Sequence, residues 1–316
     1  MIEILNPGWQ SLIVDSGRYG YGHMGVPPSS ALDHFAYDAL TFLLGNNRGT
    51  PALEVLGKGF SLTFGKDLRC AITGARVTAS LNDQPRPGWT PFQVNQGDVL
   101  RIKDVLEGFR YYIGFSGTLA LEQVINSFST NLDCRFGGYQ GRSLLKGDWI
   151  DIEPNMAVGE RLLPAGLIPT LNPPHRLRII EGAEKDFFST ESINNFFEKN
   201  GPGYKISSQS NRTGIRLEGE PLKFREGVDK SIISEAILPG TLQIPGDGLP
   251  IIALYERTIG GYARLGTVAK VDQDRLAHLK PGDTVLFEMI TMEEAESLWI
   301  RKMEQDSFLV ENHQGG

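Results

Sequence analysis

The sequence predicts a mainly β protein with a few helices. Three observations carry this prediction: apolar residues alternate along short segments, turn residues separate these segments about every eight to twelve positions, and the 316-residue chain contains 37 glycines and 18 prolines. With 40% hydrophobic residues, the chain can bury one large or two medium cores. The pattern favours a sandwich or barrel over alternating βαβ units.

The chain begins with two short strands joined by a turn at Asn6-Pro7-Gly8. A helix is predicted over residues 31–44. Ser30 is its N-cap, Asp33 completes a capping box, and Gly45-Asn46 provides the C-cap. Alternating apolar residues then predict a series of strands and one exposed turn. The strands are expected at 60–64, 68–72, 77–81, 99–102 and 111–115, and the turn at 82–88.

The second half repeats features of the first. Leu53-Glu54 and Leu217-Glu218 each lead through a glycine toward another strand-like segment. Gly97-Asp98 and Gly282-Asp283 each enter a strand, and Gly147-Asp148 is a third turn of this kind. Two echoes in the same order favour a duplicated β-barrel.

Four prolines and a glycine in residues 163–176 predict a linker. The expected domains are residues 1–165, which hold a glycine-rich loop and the 31–44 helix, residues 172–290, and a C-terminal helix and tail over residues 291–316. The second domain is expected to contain a short helix near residues 189–199. Thr291 and Glu294 predict a capping box for the last helix, with a frayed tail past Ser307.

Composition excludes several functions. The net charge is −7, the pI is near 5.4 and no Lys/Arg block occurs, so neither nucleic acid nor an anionic membrane surface is an expected partner. No apolar run approaches the ~18 residues of a membrane-spanning helix, and the N-terminus has no basic-then-apolar signal. Two cysteines without a C-x-x-C motif predict free thiols in a reducing cytoplasm.

Standard catalytic motifs are missing from the sequence. It has no P-loop, H-E-x-x-H or G-x-S-x-G motif, and its five histidines show no metal spacing, so no metal site is predicted. The glycines at positions 20, 22 and 25 match G-x-G-x-x-G, but Pro27-Pro28 delays the next helix and no βαβ unit follows. We interpret this segment as a tight loop. The whole stretch 16–33 is long and irregular, as binding loops often are.

Polar residues and glycines concentrate in three segments of the second half, 207–214, 238–248 and 256–264. Arg212 lies in the first segment, and the third joins Arg257 to Gly260-Gly261. Arginine can bind a carboxylate or phosphate in bidentate fashion, and paired glycines allow a small anionic group to approach closely. The alternative is a set of solvated loops with salt-bridged arginines, and spacing alone favours it.

Taken together, the motifs of both halves resemble those of one family. The matching stretches are residues 22–33, 44–46, 53–54, 129–132, 136–142, 208–219 and 260–262. They are similar to the biotin-dependent carboxyltransferase family, also called allophanate hydrolase subunit 2, over about residues 5–290. That family includes the C subunit of 5-oxoprolinase, the Kip-type antagonist of a sporulation-kinase inhibitor, and part of the carboxyltransferase region of urea carboxylase.

The resemblance implies a fold, partners and cofactors. The implied fold is two tandem cyclophilin-like β-barrels. The implied partners are a companion Kip-inhibitor-like subunit, like the B subunit of 5-oxoprolinase, and in 5-oxoprolinase a third subunit, with a small anionic amide as substrate. ATP is expected to act through the complex. Biotin enters only if another chain carries it, since this chain has no Met-Lys-Met motif.

Three functions are compatible with the resemblance. The first, which we favour, is a subunit of a 5-oxoprolinase-type complex that opens 5-oxoproline or a related cyclic amide with ATP. The second is a carboxyltransferase component that acts on urea or a similar amide with carboxybiotin from another chain. The third is a non-enzymatic regulator that binds a kinase-inhibitor partner.

For the first function, the predicted catalytic residues are His23, Arg212 and Arg257. His23 is a candidate acid/base, with loop stabilisation as the alternative, and the two arginines are expected to hold a carboxylate or phosphate. The predicted substrate-binding residues are Gln209, Ser210, Gln243, Thr258, Gly260, Gly261 and Tyr262. Of these, Gln209, Gln243 and Tyr262 are expected to orient the amide. Asp33 and Glu54 are expected to be structural, as a helix cap and a strand-end partner.

The chain departs from the family pattern at several positions. Family members usually carry Gln-Thr-Thr where this chain has Arg257-Thr258-Ile259, Ser-Gly-Ala where it has Ser29-Ser30-Ala31, and Asn where it has Thr41. Arg257 adds a permanent charge to the presumed pocket. This change predicts either a different anionic substrate or loss of the ancestral reaction.

Overall fold

A computed structural model describes residues 1–155 and 161–311, without the side chains of residues 310 and 311. The chain divides into two compact units. The first contains Met1–Arg18, Ser29–Leu171 and the segment from Ser307 onward; the second contains Tyr19–Pro28 and Asn172–Asp306. Residues 156–160 of the predicted first domain, and the predicted tail from residue 312, lie outside the described residues.

The first unit is built on a nine-stranded sheet in which all pairings are antiparallel. The strands of this unit are β1 (Ile2–Pro7), β2 (Gln10–Val14), β3 (Ala52–Leu56), β4 (Phe60–Phe64), β5 (Leu68–Leu81), β6 (Gln84–Arg86), β7 (Phe92–Val94), β8 (Val99–Phe115), β9 (Gly117–Leu119), β10 (Trp149–Ile150) and β11 (Ile152–Pro154). The sheet order is β10-β1-β4-β8-β3-β2, with β5 paired to β6, β7 and β8, while β9 and β11 form a separate pair.

Helix α1 (His34–Leu44) belongs to the interior of the first unit, since nine of its eleven residues are buried. It begins three residues later than predicted. The N-cap is Asp33, whose carboxylate accepts a hydrogen bond from the Ala36 amide at 2.8 Å, so the assignment of Ser30 as N-cap is wrong. Gly45 ends the helix with φ +66°, which confirms the predicted C-cap.

Three β predictions needed correction. The expected strands 68–72 and 77–81 are one continuous strand, β5. The expected strands 99–102 and 111–115 are likewise one continuous strand, β8, which pairs with β5 along most of its length. The expected exposed turn over 82–88 is shorter, because Gln84–Arg86 folds back on β5 as β6, and the turn itself is Asn82-Asp83 with φ +48° and +64°.

The second unit forms a sheet whose order is β12-β19-β13-β14-β17-β16-β18-β15. Its strands are β12 (His175–Glu181), β13 (Tyr204–Ile206), β14 (Gly214–Glu218), β15 (Ser231–Ala236), β16 (Thr241–Ile244), β17 (Ile251–Ala253), β18 (Ile259–Val268) and β19 (Thr284–Ile290). Because β12 also pairs with β18, seven of these strands close into a ring, and β15 is added at the other end of β18. The β12–β19 pair is parallel and the other pairs are antiparallel.

Two α-helices accompany the second sheet. Helix α2 (Thr190–Phe196) lies within the region 189–199 where a short helix was predicted, and Ser189 caps it. Helix α3 (Met292–Glu311) begins with the predicted capping box: the Thr291 amide donates to Glu294 at 2.8 Å, and the Glu294 amide donates back to Thr291 Oγ1 at 3.2 Å. Short 3₁₀ helices occur at Gly22–Met24, Ala165–Leu167, Lys185–Phe187 and Lys270–His278.

The predicted Gly-Asp turns share one geometry. At Gly97, Gly147 and Gly282 the φ angle is +88°, +86° and +89°. In each turn the following aspartate accepts a hydrogen bond from the amide three residues before it, with distances of 2.8 Å for Asp98, 2.7 Å for Asp148 and 3.3 Å for Asp283. Only glycine reaches this backbone region without strain, so the motif fixes the entry to β8, β10 and β19.

The fold is thus mainly β with a few helices and two β-sheet units, which confirms the predicted class. Cys70 and Cys134 are free thiols, and the first is buried. Among the described residues, none of the helices combines the length and the apolar composition that crossing a bilayer requires.

Candidate functional site

The polar segment 207–213 of the second unit is an ordered turn between β13 and β14. The Ser207 amide donates to the Arg216 carbonyl at 2.9 Å, and the Ser210 hydroxyl accepts from the Arg216 amide at 3.0 Å. Asn211 Oδ1 accepts from the amides of Thr213 and Gly214 at 2.8 and 3.2 Å. The serines and asparagine therefore satisfy the backbone of the turn, which explains why this segment is polar.

Four paired residues form a row across the second sheet. Arg216 on β14 pairs with Ile251 on β17, Ile251 pairs with Gln243 on β16, and Gln243 pairs with Arg264 on β18. Directly paired residues project to the same face of an antiparallel sheet. The alternate residues, such as Leu217, Leu242 and Ile252, face the opposite way and are buried in the core. This polar face carries the candidate site.

A pocket of about 210 Å³ opens at the Arg216 end of the row. This volume is below the roughly 300–1,000 Å³ of clefts that bind drug-sized ligands. A pocket of this size suits a small metabolite. Its lining residues are mixed in character: one is cationic, two are anionic, and the others are polar or apolar. These are Ser207, Gln209, Arg216, Leu217, Glu218, Pro245, Asp247, Leu249, Pro250 and Ile251.

The middle of the row holds an unsatisfied amide. Gln243 is 8% exposed, and its Nε2 atom has no hydrogen-bond partner among the described residues. Gly260 lies against it: a β-carbon at residue 260 would be 2.0 Å from this Nε2 atom. Glycine is therefore required at 260 for the amide to keep its position. A buried donor without a partner is rare and costs free energy, which makes this position a candidate ligand contact.

Arg264 closes the row with a double ion pair. Its guanidinium binds Glu184 through Nε at 2.7 Å and Nη2 at 2.6 Å, and reaches Glu235 on β15 at 2.9 Å. Hydrogen bonding to Arg264 lowers the pKa of Glu184 below its usual range. The Arg264 side chain therefore stabilises the packing of β15, and of the segment before Lys185–Phe187, against β18.

Comparison with known proteins identifies the family of the chain. Residues 24–289 match the family described as the carboxyltransferase domain, subdomain A and B. The chain belongs to this family. The resemblance predicted from the sequence is therefore confirmed.

Relatives of the carboxyltransferase domain family match nearly the whole chain. The chain is 31% identical to the C subunit of 5-oxoprolinase from Haemophilus influenzae, covering 94% of both proteins, and 32% identical to the C subunit of 5-oxoprolinase from Escherichia coli, covering 93% of both. The crystal structure of the Kluyveromyces lactis urea amidolyase superposes with a TM-score of 0.89 at 29% identity, covering 98% of this chain and 20% of that protein.

Several predicted site residues of this family member lie on the polar face. Gln209 lines the pocket, Gln243 is in the row, and Gly260 packs on Gln243. Tyr262 follows Gly260 by two residues on β18 and pairs with Ser231 of β15, so it shares their face and is 43% exposed.

The remaining predicted residues lie elsewhere in the second unit. Arg212 is 6% exposed and its Nε atom lies 3.2 Å from Glu256, so it forms a buried ion pair. Arg257 and His23 are exposed, and neither side chain makes an ion pair or hydrogen bond with a described residue. The last three predicted residues contact backbone groups. The Ser210 hydroxyl accepts from the Arg216 amide, and the Thr258 carbonyl accepts from the Ile237 amide. Gly261 lies against β15.

Sequence reasoning missed Arg216, Ile251 and the two acidic pocket residues. The signal for Arg216 and Glu218 was available, because residues 214–218 alternate apolar and polar side chains as a half-buried strand does. The signal for Ile251 was not, since its place beside Gln243 depends on the pairing of β16 with β17. Among the described residues, no group of three or more His, Cys, Asp or Glu is placed to hold a metal ion.

Proposed function

We propose that this protein is a subunit of a 5-oxoprolinase-type complex, which opens 5-oxoproline or a related cyclic amide to an amino acid at the expense of ATP. The observation that carries the proposal is the match to two proteins named as the C subunit of 5-oxoprolinase, over 94% and 93% of both chains. A match over whole chains supports the same division of labour between subunits. The match to the urea amidolyase covers only 20% of that protein.

The chemistry of the polar face supports a small anionic amide as the ligand. 5-Oxoproline combines a carboxylate with a lactam N–H and carbonyl. The pocket offers a guanidinium for an anion and carboxylates for an N–H donor, and the adjacent Gln243 amide retains an unused donor for an oxygen. Donors of this kind can stabilise the oxyanion that forms when a lactam carbonyl is attacked.

Within this proposal the predicted residues keep their expected roles, except Arg212, whose side chain is held in the buried ion pair with Glu256. Gln209, Gln243 and Tyr262 orient the amide, and Gly260 keeps space for the Gln243 side chain. His23 is the candidate acid/base. The exposure of its ring and its freedom from described partners support that role over loop stabilisation. Arg257 is exposed and remains a candidate for binding an anion.

We further infer that both units are cyclophilin-like β-barrels. The closed ring of seven strands in the second unit supports this for residues 172–290. The shared Gly-Asp turn geometry of the two units supports an origin by duplication.

The proposed complex includes a companion Kip-inhibitor-like subunit, like the B subunit of 5-oxoprolinase, and a third subunit, in the cytoplasm. We assign ATP to a partner chain. A triphosphate carries several negative charges, and a pocket that sets Glu218 and Asp247 beside one guanidinium does not fit it. Biotin, if used, would be carried by another chain.

A second candidate function is carboxyl transfer to urea or a similar amide from carboxybiotin on another chain. The TM-score of 0.89 with the urea amidolyase over 98% of this chain favours it. Both functions present a carbonyl next to nitrogen to the same polar face.

The test is ATP-dependent release of glutamate from 5-oxoproline by the co-expressed subunits, with each subunit omitted in turn. We expect activity that is lost when this chain is left out. An assembled complex that releases no glutamate, but carboxylates urea when a biotinylated partner is supplied, would replace the first function by the second.

A further inference from the structure

Arg216 differs from most arginines of the chain because its side chain has no partner among the described residues. Among the described arginines, the side chains of Arg135, Arg216 and Arg257 make no ion pair, hydrogen bond or ring contact with described residues. Of these three, Arg216 is the one that lines the 210 Å³ pocket. A guanidinium that faces a pocket without a carboxylate partner keeps its full fork of donors available to a ligand.

The backbone of Arg216 is nevertheless well fixed. Its strand is paired on both sides, with β13 and with β17, and its amide donates to Ser210 Oγ at 3.0 Å. The side chain therefore projects from a rigid element rather than from a loop, which is the arrangement that favours a precise binding site. Ile251, directly beside it, provides an apolar surface on which a small ring can lie.

Two carboxylates complete the pocket. Glu218 lies two residues after Arg216 on the same face of β14, and its side chain has no partner among the described residues. Asp247 uses Oδ1 to accept from the Leu249 amide at 3.0 Å, which leaves Oδ2 free to accept another hydrogen bond. These carboxylates would repel a phosphate dianion, whereas they can accept hydrogen bonds from an N–H or an ammonium group.

We propose that this pocket recognises an α-carbon that bears both a carboxylate and a nitrogen, with Arg216 binding the carboxylate and Glu218 or Asp247 accepting from the nitrogen. The assignment rests on the proposed function and moves the anion-binding role from Arg212 to Arg216. In 5-oxoproline the nitrogen is a lactam N–H. When water is added across the C–N bond, the carbonyl carbon becomes the new carboxylate and the nitrogen becomes the ammonium of glutamate, so the same acceptors serve substrate and product.

The proposal is tested by titrating the full-length chain with four probes in calorimetry or ligand-observed NMR. 5-Oxoproline and glutamate present both groups, 2-pyrrolidinone lacks the carboxylate, and 3-oxocyclopentanecarboxylate lacks the N–H. We expect binding of the first two and at least about tenfold weaker binding of the others, as the loss of a charge-assisted hydrogen bond predicts. Arg216→Gln should weaken 5-oxoproline binding about 10- to 100-fold. Glu218→Gln should weaken the binding of 3-oxocyclopentanecarboxylate, which has no N–H, less than it weakens the binding of 5-oxoproline.

Arg301→Gln is the matched control, because it removes the same charge from an exposed arginine of α3 that lies outside the pocket. In the assembled complex, Arg216→Gln should raise KM with a smaller effect on kcat, and Arg301→Gln should change neither. If the complex is active and Arg216→Gln leaves Kd and KM unchanged, the inference is wrong and the proposed function stands. If the complex is inactive on 5-oxoproline, Arg216-dependent binding of either amino-acid probe still supports the pocket, and no binding of either overturns it.

Discussion

The buried pair of Arg212 and Glu256 gives the sharpest prediction about the second unit. Arg212 Nε lies 3.2 Å from Glu256 Oε1, and the two side chains are 6% and 4% exposed. The neighbouring backbone is joined as well, since the Leu254 amide donates to the Thr213 carbonyl at 3.1 Å. The pair thus links the turn before β14 to the segment before β18.

Removing one partner would take the 3.2 Å ion-pair partner away from the other buried charge. Such a change typically costs about 3–5 kcal/mol, against a total free energy of unfolding of about 5–15 kcal/mol for a domain. We therefore expect Arg212→Ala and Glu256→Ala each to lower the midpoint of thermal unfolding strongly. The double variant Arg212→Met/Glu256→Met should lose less than the sum, because it leaves no unpaired charge.

Thermal unfolding of the purified chain, followed by circular dichroism and calorimetry, measures these effects. Arg216→Ala is the matched control, since the same substitution at an exposed position should change the free energy of unfolding by no more than about 0.5 kcal/mol. If Arg212→Ala unfolds at the wild-type temperature while the complex loses activity, the structural reasoning is wrong. Arg212 would then be the binding residue that the sequence predicted.

Three further predictions concern single positions. Tyr111→Phe should raise the free energy of unfolding by about 1 kcal/mol, because the Tyr111 hydroxyl is buried without a partner among the described residues; a loss of stability would reveal a partner. Burial lowers the pKa of His175 below its usual value, so the unfolded chain binds a proton that the folded chain does not, and stability should fall as the pH drops below about 6.5. His175→Gln should flatten that profile, and an equally steep one would refute the cause. Gly260→Ala should abolish activity by displacing Gln243, whereas Gly246→Ala, with only ordinary contacts at 3.6 Å or more, should not; equal activities would contradict this.

Local signals in the sequence predicted local structure well. The Gly-Asp turns, the Gly45 cap and the Thr291–Glu294 capping box depend on residues a few positions apart, and the structure contains each of them. The predicted start of α1 was wrong because tertiary contacts take the place of the helical turn expected at residues 31–33. The Leu32 amide donates to Glu54 at 3.0 Å and the Asp33 amide to Tyr112 at 2.9 Å, so amides that an earlier helix would leave unsatisfied have distant partners.

Strand β8 shows a second limit of sequence patterns. Its middle part, residues 103–108, is exposed or half-buried on both faces, so alternation disappears there and two strands were predicted. What holds this part in the sheet is pairing with β5, including Arg76 with Glu107 and Val77 with Val105. Backbone pairing between segments more than 25 residues apart leaves no period in the sequence.

The candidate site was predicted to the level of segments but not of every side chain. Two of the predicted polar segments contribute to the polar face: Gln209 lines the pocket, and Gly260 lies against Gln243 in the row. The choice between Arg212 and Arg216 required more than the sequence offered. Arg212 is neutralised by Glu256, 44 residues away, and no local pattern marks that partner.

The Leu-Glu motif that occurs in both halves of the sequence has a different role in each unit. In β3, Glu54 is buried and its Oε2 accepts from the Leu32 amide and, at 2.9 Å, from the Tyr112 hydroxyl, so the carboxylate serves to hold the segment before α1. In β14, Glu218 is exposed and lines the pocket beside Arg216. The same residue at the same point of the repeat is thus a structural acceptor in one unit and an available acceptor in the other. Ligand binding requires an acceptor that faces a pocket and is not already used by the protein. Of the two glutamates, Glu218 meets this requirement, which favours a binding site in the second unit.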